Sequence, residues 1–340
     1  MGDKKRVVLV GCGGMSAAWL KPAKTLPDLE IVGLVDIRRE AAEKRAAEFG
    51  LGDAFISTSL TEALDKTNPD GVFDVTIPEA HTSVTLEALA HGCHVFGEKP
   101  MADSMENAHK MVAAAIKSGK IYAVIQNRRY DARIRRLRNF LASGAIGRIT
   151  TVNCDFYLGP HFGGFRDEMA HPLLLDMAIH TFDAARYITA ADPLSVTCKE
   201  WNPPGSWYKG DASAIAVFEM SDDIVYTYRG SWCTNGLITT WESNWVITGE
   251  NGGVSWDGAD GFNAVVSGPV TGFHPERNTV EMPPFDAGDK INGHEGLLRD
   301  FLRAMQTGIA PETVCTDNIK SLSMVFGAIE ASAQRKWYQI

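Results

Sequence analysis

The chain has 340 residues, 45% of them hydrophobic and 22% charged, with a formal net charge of -9 at pH 7. That length accommodates roughly two domains, each with its own core. The acidic balance argues against nucleic acid as a partner, and no apolar run approaches the ~18 residues of a membrane span.

The N-terminal "MGDKKRVVLVGCGG" has only four apolar residues before its glycines after the basic run, too few for a signal segment. A cytoplasmic protein is expected. Residues 6–10, "RVVLV", read as a short strand that ends in glycines, and "MSAAWLKPAK" reads as a helix that Pro22 kinks or ends. Residues 30–36 are the next strand, and 38–50 an amphipathic helix stopped by Gly50. The alternation continues through "AFIST", a helix near 59–66, a strand at 71–76 and a helix at about 79–91. A strand at 93–97, a helix at about 103–118 and a strand at 121–126 close the series. Strands separated by helices predict βαβ units and a doubly wound parallel sheet of the Rossmann kind over residues 1–126.

Within that frame "VGCGGMS" has its required strand–loop–helix setting. Gly11, Gly13 and Ser16 occupy the three positions of a GxGxxG fingerprint, with Ser16 replacing the last glycine. Gly11 suits the tight turn, and Gly13, with Gly14 and Met15 beside it, lets a pyrophosphate approach the backbone at a helix N-terminus. Asp36 ends the next strand, where a carboxylate accepts hydrogen bonds from a ribose hydroxyl and repels a 2′-phosphate, so NAD is favoured. Arg38 and Arg39 keep NADP open. Ligands in such sheets bind outside the carboxyl ends of the strands. Thr76, Pro78 and His81 of "TIPEAH" and Glu98 and Lys99 of "EKP" are therefore placed at the cofactor crevice.

Residues 127–340 form the second expected domain. "RITTVNCDFY", "SAIAVFEM", "IVYTYRGSW" and "SNWVITGE" are strand-like, with polar turns at 221–223 and 250–253 that suggest hairpins. Helices are expected near 293–306 and 316–334. "LLLDMAIHTFD" (173–183) is apolar apart from Asp176, His180 and Asp183. At i, i+4 and i+7 these three fall on one helical face. A charged stripe on an otherwise apolar helix must meet a partner, a cofactor or a wet cleft. A buried ion network and an active centre are both open at this point. Asp183 is expected to pair with Arg186 in a structural role. Six scattered cysteines without a CxxC pair read as reduced thiols, and "HGCH" (91–94) is a weak metal motif. No metal is expected.

Taken together, "VGCGGMS", "VD" at 35–36, "TIP" at 76–78, "EKP" at 98–100, "GAIGRI" at 144–149 and "DMAIH" at 176–180 resemble the Gfo/Idh/MocA oxidoreductase family. The resemblance covers essentially the whole chain. It implies a second α/β domain with a large open, mostly antiparallel sheet, used for homodimer or homotetramer contacts. It also implies NAD(P)-dependent hydride transfer at a hydroxyl of a sugar, sugar derivative or cyclitol. The family's functional triad maps onto Lys99, Asp176 and His180. Hydride transfer from an alcohol also needs a proton acceptor near neutral pKa, a role that suits His180, with Lys99 stabilising the alkoxide or relaying the proton. The substrate pocket is expected to draw on Asn127, and on His161 and Arg166 of the loop 158–171. The lead "MAHPLLLD" departs from the glycine-rich lead of many relatives. Two other readings on the same scaffold are an NAD-dependent glycoside hydrolase and a non-enzymatic sugar-sensing regulator.

Overall fold

The structure, a computed structural model, describes residues 4–288 and 290–340. The chain divides into two compact units. One is the chain up to Tyr130 with Gly288–Ile319, and the other is Asp131–Ala287 with Lys320–Ile340.

The first unit begins with β1 (Lys5–Val10), α1 (Ser16–Ala23), β2 (Leu29–Val35), α2 (Arg39–Phe49), β3 (Phe55–Ser57) and α3 (Leu60–Thr67). It continues with β4 (Gly71–Asp74), α4 (Pro78–Ala90), β5 (His94–Gly97), α5 (Met105–Ser118) and β6 (Tyr122–Val124). The six strands are parallel and ordered β3-β2-β1-β4-β5-β6, so the order reverses between β1 and β4. That switch point is where doubly wound sheets take their ligands. β4 and β6 are wholly buried, and so are the carboxyl-terminal halves of β1 and β2, which explains why these stretches read as apolar runs rather than alternations. Pro22 sits inside the last turn of α1, and the helix stops one residue later.

The second unit holds α6 (Ala132–Ala142), β7 (Ile149–Tyr157), α7 (Phe165–Glu168), α8 (Ile179–Thr189), β8 (Pro193–Trp201), β9 (Ser213–Met220) and β10 (Val225–Ser231). Its further strands are β11 (Asn244–Gly249), β12 (Gly252–Trp256), β13 (Phe262–Val270) and β14 (Pro275–Val280). After them come α9 (His294–Thr307), α10 (Cys315–Gln334) and β15 (Tyr338–Gln339). Nine strands form one open sheet, ordered β14-β13-β12-β11-β7-β10-β9-β8-β15. Among the described strands of this sheet only β7 and β10 pair in parallel. Phe182 of α8 packs edge-on against Phe218, Tyr226 and Tyr228 of the sheet. The side chains that alternate with this buried set leave Ile215, Val225 and Val246 exposed.

The segment that carries α9 does not stay with the second unit, although a division after residue 126 assigns it there. The apolar face of α9 (Leu297, Leu298, Phe301, Leu302 and Met305) is buried in the core beneath β1 and α1. Phe301 stacks on Phe96 at 4.2 Å, and Trp19 lies 5.0 Å from Phe73 in the same cluster. Burial of an aromatic ring of this size outweighs a long return of the chain, because loop-closure entropy grows only slowly with length.

Candidate active site

The glycine loop follows β1 as the sequence predicts. Gly11 has φ +92, and a Cβ there would lie 2.5 Å from the Val75 carbonyl oxygen, so the turn tolerates only glycine. At Gly13 and Gly14 a Cβ would meet nothing within 4 Å, which leaves the backbone face open to a ligand. Ser16 is buried in the third position, and its hydroxyl donates to the Gly13 carbonyl at 2.6 Å. Asp36 anchors the loop: its carboxylate accepts from the amides of Cys12 (2.8 Å) and Arg38 (2.9 Å). Arg45 of α2 also donates to the Gly13 carbonyl, at 2.8 Å, a contact across 32 residues that no local motif signals. These residues fit a dinucleotide: open glycine backbone at a helix start, with a carboxylate at the end of the neighbouring strand.

The loop after β5 carries Glu98 and Lys99, and the Lys99–Pro100 peptide bond is cis. Glu98 is buried and accepts from the Trp19 indole at 2.7 Å; its other oxygen accepts from the Lys99 amide at 3.2 Å. Asn127 lies 3.4 Å from His294 at the start of α9. Burial holds His294 below the ordinary imidazole range, partly offset by Glu98. His294 escapes sequence reasoning because it is 167 residues from its partner and belongs to no motif. Met15 and Arg38 are exposed beside the loop, and Pro78 opens α4.

In the second unit the sequence predicts one α-helix from Pro172 onward. The structure instead has a π-helical turn over Leu173–Ala178, followed by α8. The wider turn carries Asp176 and the α-helix carries His180, both less than a tenth exposed. π-turns recur at functional sites because they re-aim side chains from a regular helix. Arg166 Nε donates to Asp176 at 2.7 Å, and its guanidinium lies over the rings of Phe162 (5.2 Å) and Phe165 (4.8 Å). Asp183 leaves the stripe for a structural task. It accepts from Ser321 of α10 at 2.7 Å, and Arg186 donates to the same hydroxyl at 2.9 Å.

Around Asp176 the loop 158–171 meets the turn before β9. The amide of Lys209 donates to the Asp167 carbonyl and that of Asp211 to the Ala170 carbonyl. His161 stacks on Trp207 at 3.7 Å. Tyr208 is pushed up to about 12 by burial, countered by the Trp207 indole and by Arg166, and reinforced by Asp176 and Asp167. Asp167 Oδ1 is buried without a hydrogen-bond partner among the described residues, while the Trp207 indole faces the Tyr208 hydroxyl. Such a group as Asp167 Oδ1 costs about 1–3 kcal/mol when left unsatisfied. Sequence reasoning does not single out Asp167 and Tyr208, because only the loop pairing brings their segments together.

In "HGCH" both histidines have backbone partners. His91 contacts the Glu87 carbonyl at 2.9 Å, and His94 accepts from the Ile121 amide at 3.1 Å. All six cysteines are buried free thiols. Among the described residues no helix is long and apolar enough to cross a membrane.

Two family models match the chain. Residues 5–126 match the NAD-binding Rossmann-fold domain of the GFO/IDH/MocA oxidoreductase family, and residues 134–255 match that family's C-terminal domain. The 1,5-anhydro-D-fructose reductase of Ensifer adhaerens is 32% identical over 331 residues, 96% of this chain and 95% of its own. The inositol 2-dehydrogenase/D-chiro-inositol 3-dehydrogenase of Lacticaseibacillus casei is 32% identical over 186 residues, covering 54% and 52% of the two chains. The fold is that of an oxidoreductase from Agrobacterium radiobacter solved with NAD+, L-tartaric acid and magnesium, with TM-score 0.85, 20% identity, and 99% and 98% of the chains covered. The chain belongs to the Gfo/Idh/MocA family. It is an NAD(P)-dependent oxidoreductase acting on CH–OH groups.

In this Gfo/Idh/MocA chain His81 stands in the first turn of α4. It is buried, and Nδ1 lies 2.9 Å from the fully buried Asp74 at the end of β4. Thr76 donates to the other Asp74 oxygen at 2.6 Å. The dyad shapes the loop after β4 from within. Burial opposes charge on His81, but Asp74, with Glu98 and Glu79, outweighs it and raises the imidazole above its ordinary value. A raised folded pKa means that the pair's stabilisation is complete below the unfolded value of about 6.5 and fades as pH rises through the folded one. Urea unfolding of the wild type and Asp74→Asn should therefore differ most near pH 6 and converge at higher pH. A difference independent of pH would show that His81 is uncharged.

Proposed function

We propose that this chain transfers a hydride between NAD, in preference to NADP, and a hydroxyl-bearing carbon of a sugar, sugar derivative or cyclitol. The observation that carries this reading is the placement of Asp176 and His180 at a π-to-α junction, shielded from water, with Arg166 bonded to Asp176. The reductase and inositol dehydrogenase named above support the substrate class.

His180 accepts the hydroxyl proton, as an imidazole suits near neutral pH. Lys99 places an ammonium against the developing alkoxide. Asp176, anchored by Arg166, holds a neighbouring hydroxyl and orients the reacting one. The nicotinamide supplies the hydride acceptor or donor. Gly13, Gly14 and Asp36 would hold the cofactor. Asp36 at the end of β2 supports the preference for NAD, and Arg39 is engaged with Glu43 and the Ile56 carbonyl.

Lys99→Ala and His180→Ala should each lower turnover at least ~100-fold while NADH still quenches tryptophan fluorescence to saturation. Near-wild-type turnover in either variant removes that residue from the proton path. In the same titration the wild type should bind NADH more tightly than NADPH; the reverse order would assign the dominant role to Arg38. For assembly we propose a homodimer or homotetramer through the open sheet, where Ile215, Val225 and Val246 are exposed. Light scattering should then give a multiple of 37.1 kDa that falls on Val246→Glu, and a monomeric wild type would discard this surface.

A further inference from the structure

We propose that His171, Glu200 and Asp211 form a site for one zinc ion that ties the loop before the Asp176 turn to the open sheet. Their ligand atoms all lie within 4.8 Å of one another, the one such group among the described residues. His171 Nδ1 is 3.1 and 3.3 Å from the two Glu200 oxygens. Zinc bonds of about 2.0–2.2 Å put neighbouring tetrahedral ligands about 3.3–3.6 Å apart. One ligand pair is thus already near its required spacing, and Asp211 needs to close by only about 1 Å.

The three groups come from separate segments held by backbone contacts. Glu200 lies on β8, its amide bonded to Ser332 of α10 at 2.9 Å, and its side chain is buried. Asp211 is set by its amide bond to the Ala170 carbonyl at 2.9 Å. Gly210 makes that approach possible, since a Cβ there would lie 2.1 Å from the same carbonyl oxygen. His171 follows Ala170 directly and opens the turn that carries Asp176.

An ion pair accounts for His171 and Glu200 but not for Asp211. A second carboxylate at this distance repels the first, and a single imidazolium balances only one of them. A divalent cation balances both, with the imidazole as a neutral ligand. One nitrogen and two carboxylates form a donor set that suits zinc, whereas magnesium prefers oxygen and water. His171 and Asp211 are half-buried, so an ion can enter and complete its shell with water.

The test uses the full-length chain without an affinity tag, stripped with chelator and exchanged into chelator-free buffer. Zinc chloride is titrated calorimetrically against magnesium chloride as control, and bound metal is counted by mass spectrometry after gel filtration. One zinc per chain should bind, raising the unfolding midpoint by about 4 °C or more in excess metal. Asp211→Asn keeps the His171–Glu200 contact and should weaken zinc at least tenfold. Glu200→Gln is the second variant and should do the same. Absence of zinc uptake by the wild type overturns the proposal. So does uptake unchanged in both variants, which would place the ion elsewhere.

Discussion

A charged group taken out of water must meet another polar group, and in this chain such meetings connect segments that sequence separates. Asp300 on α9 is almost fully buried; it accepts from the Tyr130 hydroxyl at 2.6 Å and pairs with Lys290 and Arg303. That contact helps return α9 to the parallel sheet, alongside the aromatic stack of Phe301 on Phe96. Asp183 and Arg186 share Ser321 in the same manner in the second unit. Removing one member of such a set leaves a buried charge uncompensated, which costs more than the intact interaction contributes.

The parallel sheet turns this constraint into a site. Every strand of the first unit points its carboxyl end to one edge, so the loops after β1, β4, β5 and β6 collect there. They supply Gly11 to Met15, Thr76 to His81, Glu98 to Lys99, and Asn127. The edge is stiffened from behind: Asp36 holds the glycine loop, Asp74 and His81 hold the loop after β4, and Trp19 holds Glu98. Preorganised polar groups of this kind need no rearrangement at the moment of reaction. In the second unit Asp176 stands in the π-turn and is held by Arg166.

Much of this is legible along the chain because it is local. The strand–helix alternation follows from short apolar runs and amphipathic stretches, and helix stops such as Gly50 from backbone sterics. The glycine loop and Asp36 are readable because a pyrophosphate and a ribose impose fixed spacings. Asp176 and His180 stand out as charges in an apolar stretch. The π-turn was not legible, since "LLLDMA" has ordinary helical composition and the bulge appears only when it packs. The burial of His81 against Asp74 is not legible either, because it depends on the packing of α4.

The sequence by itself determined the strand–helix alternation, the glycine loop with Asp36, and Asp176 and His180 as charges in an apolar stretch, since these rest on periodicity and on chemistry written within a few residues. Only the tertiary structure decided which charges meet. Arg166 on Asp176, Arg45 on the glycine loop, His294 beside Asn127, and His171 with Glu200 and Asp211 are pairings between separate segments. Nothing in local spacing encodes them. They are settled by which apolar faces bury together, and the polar groups then take the partners that this burial leaves within reach.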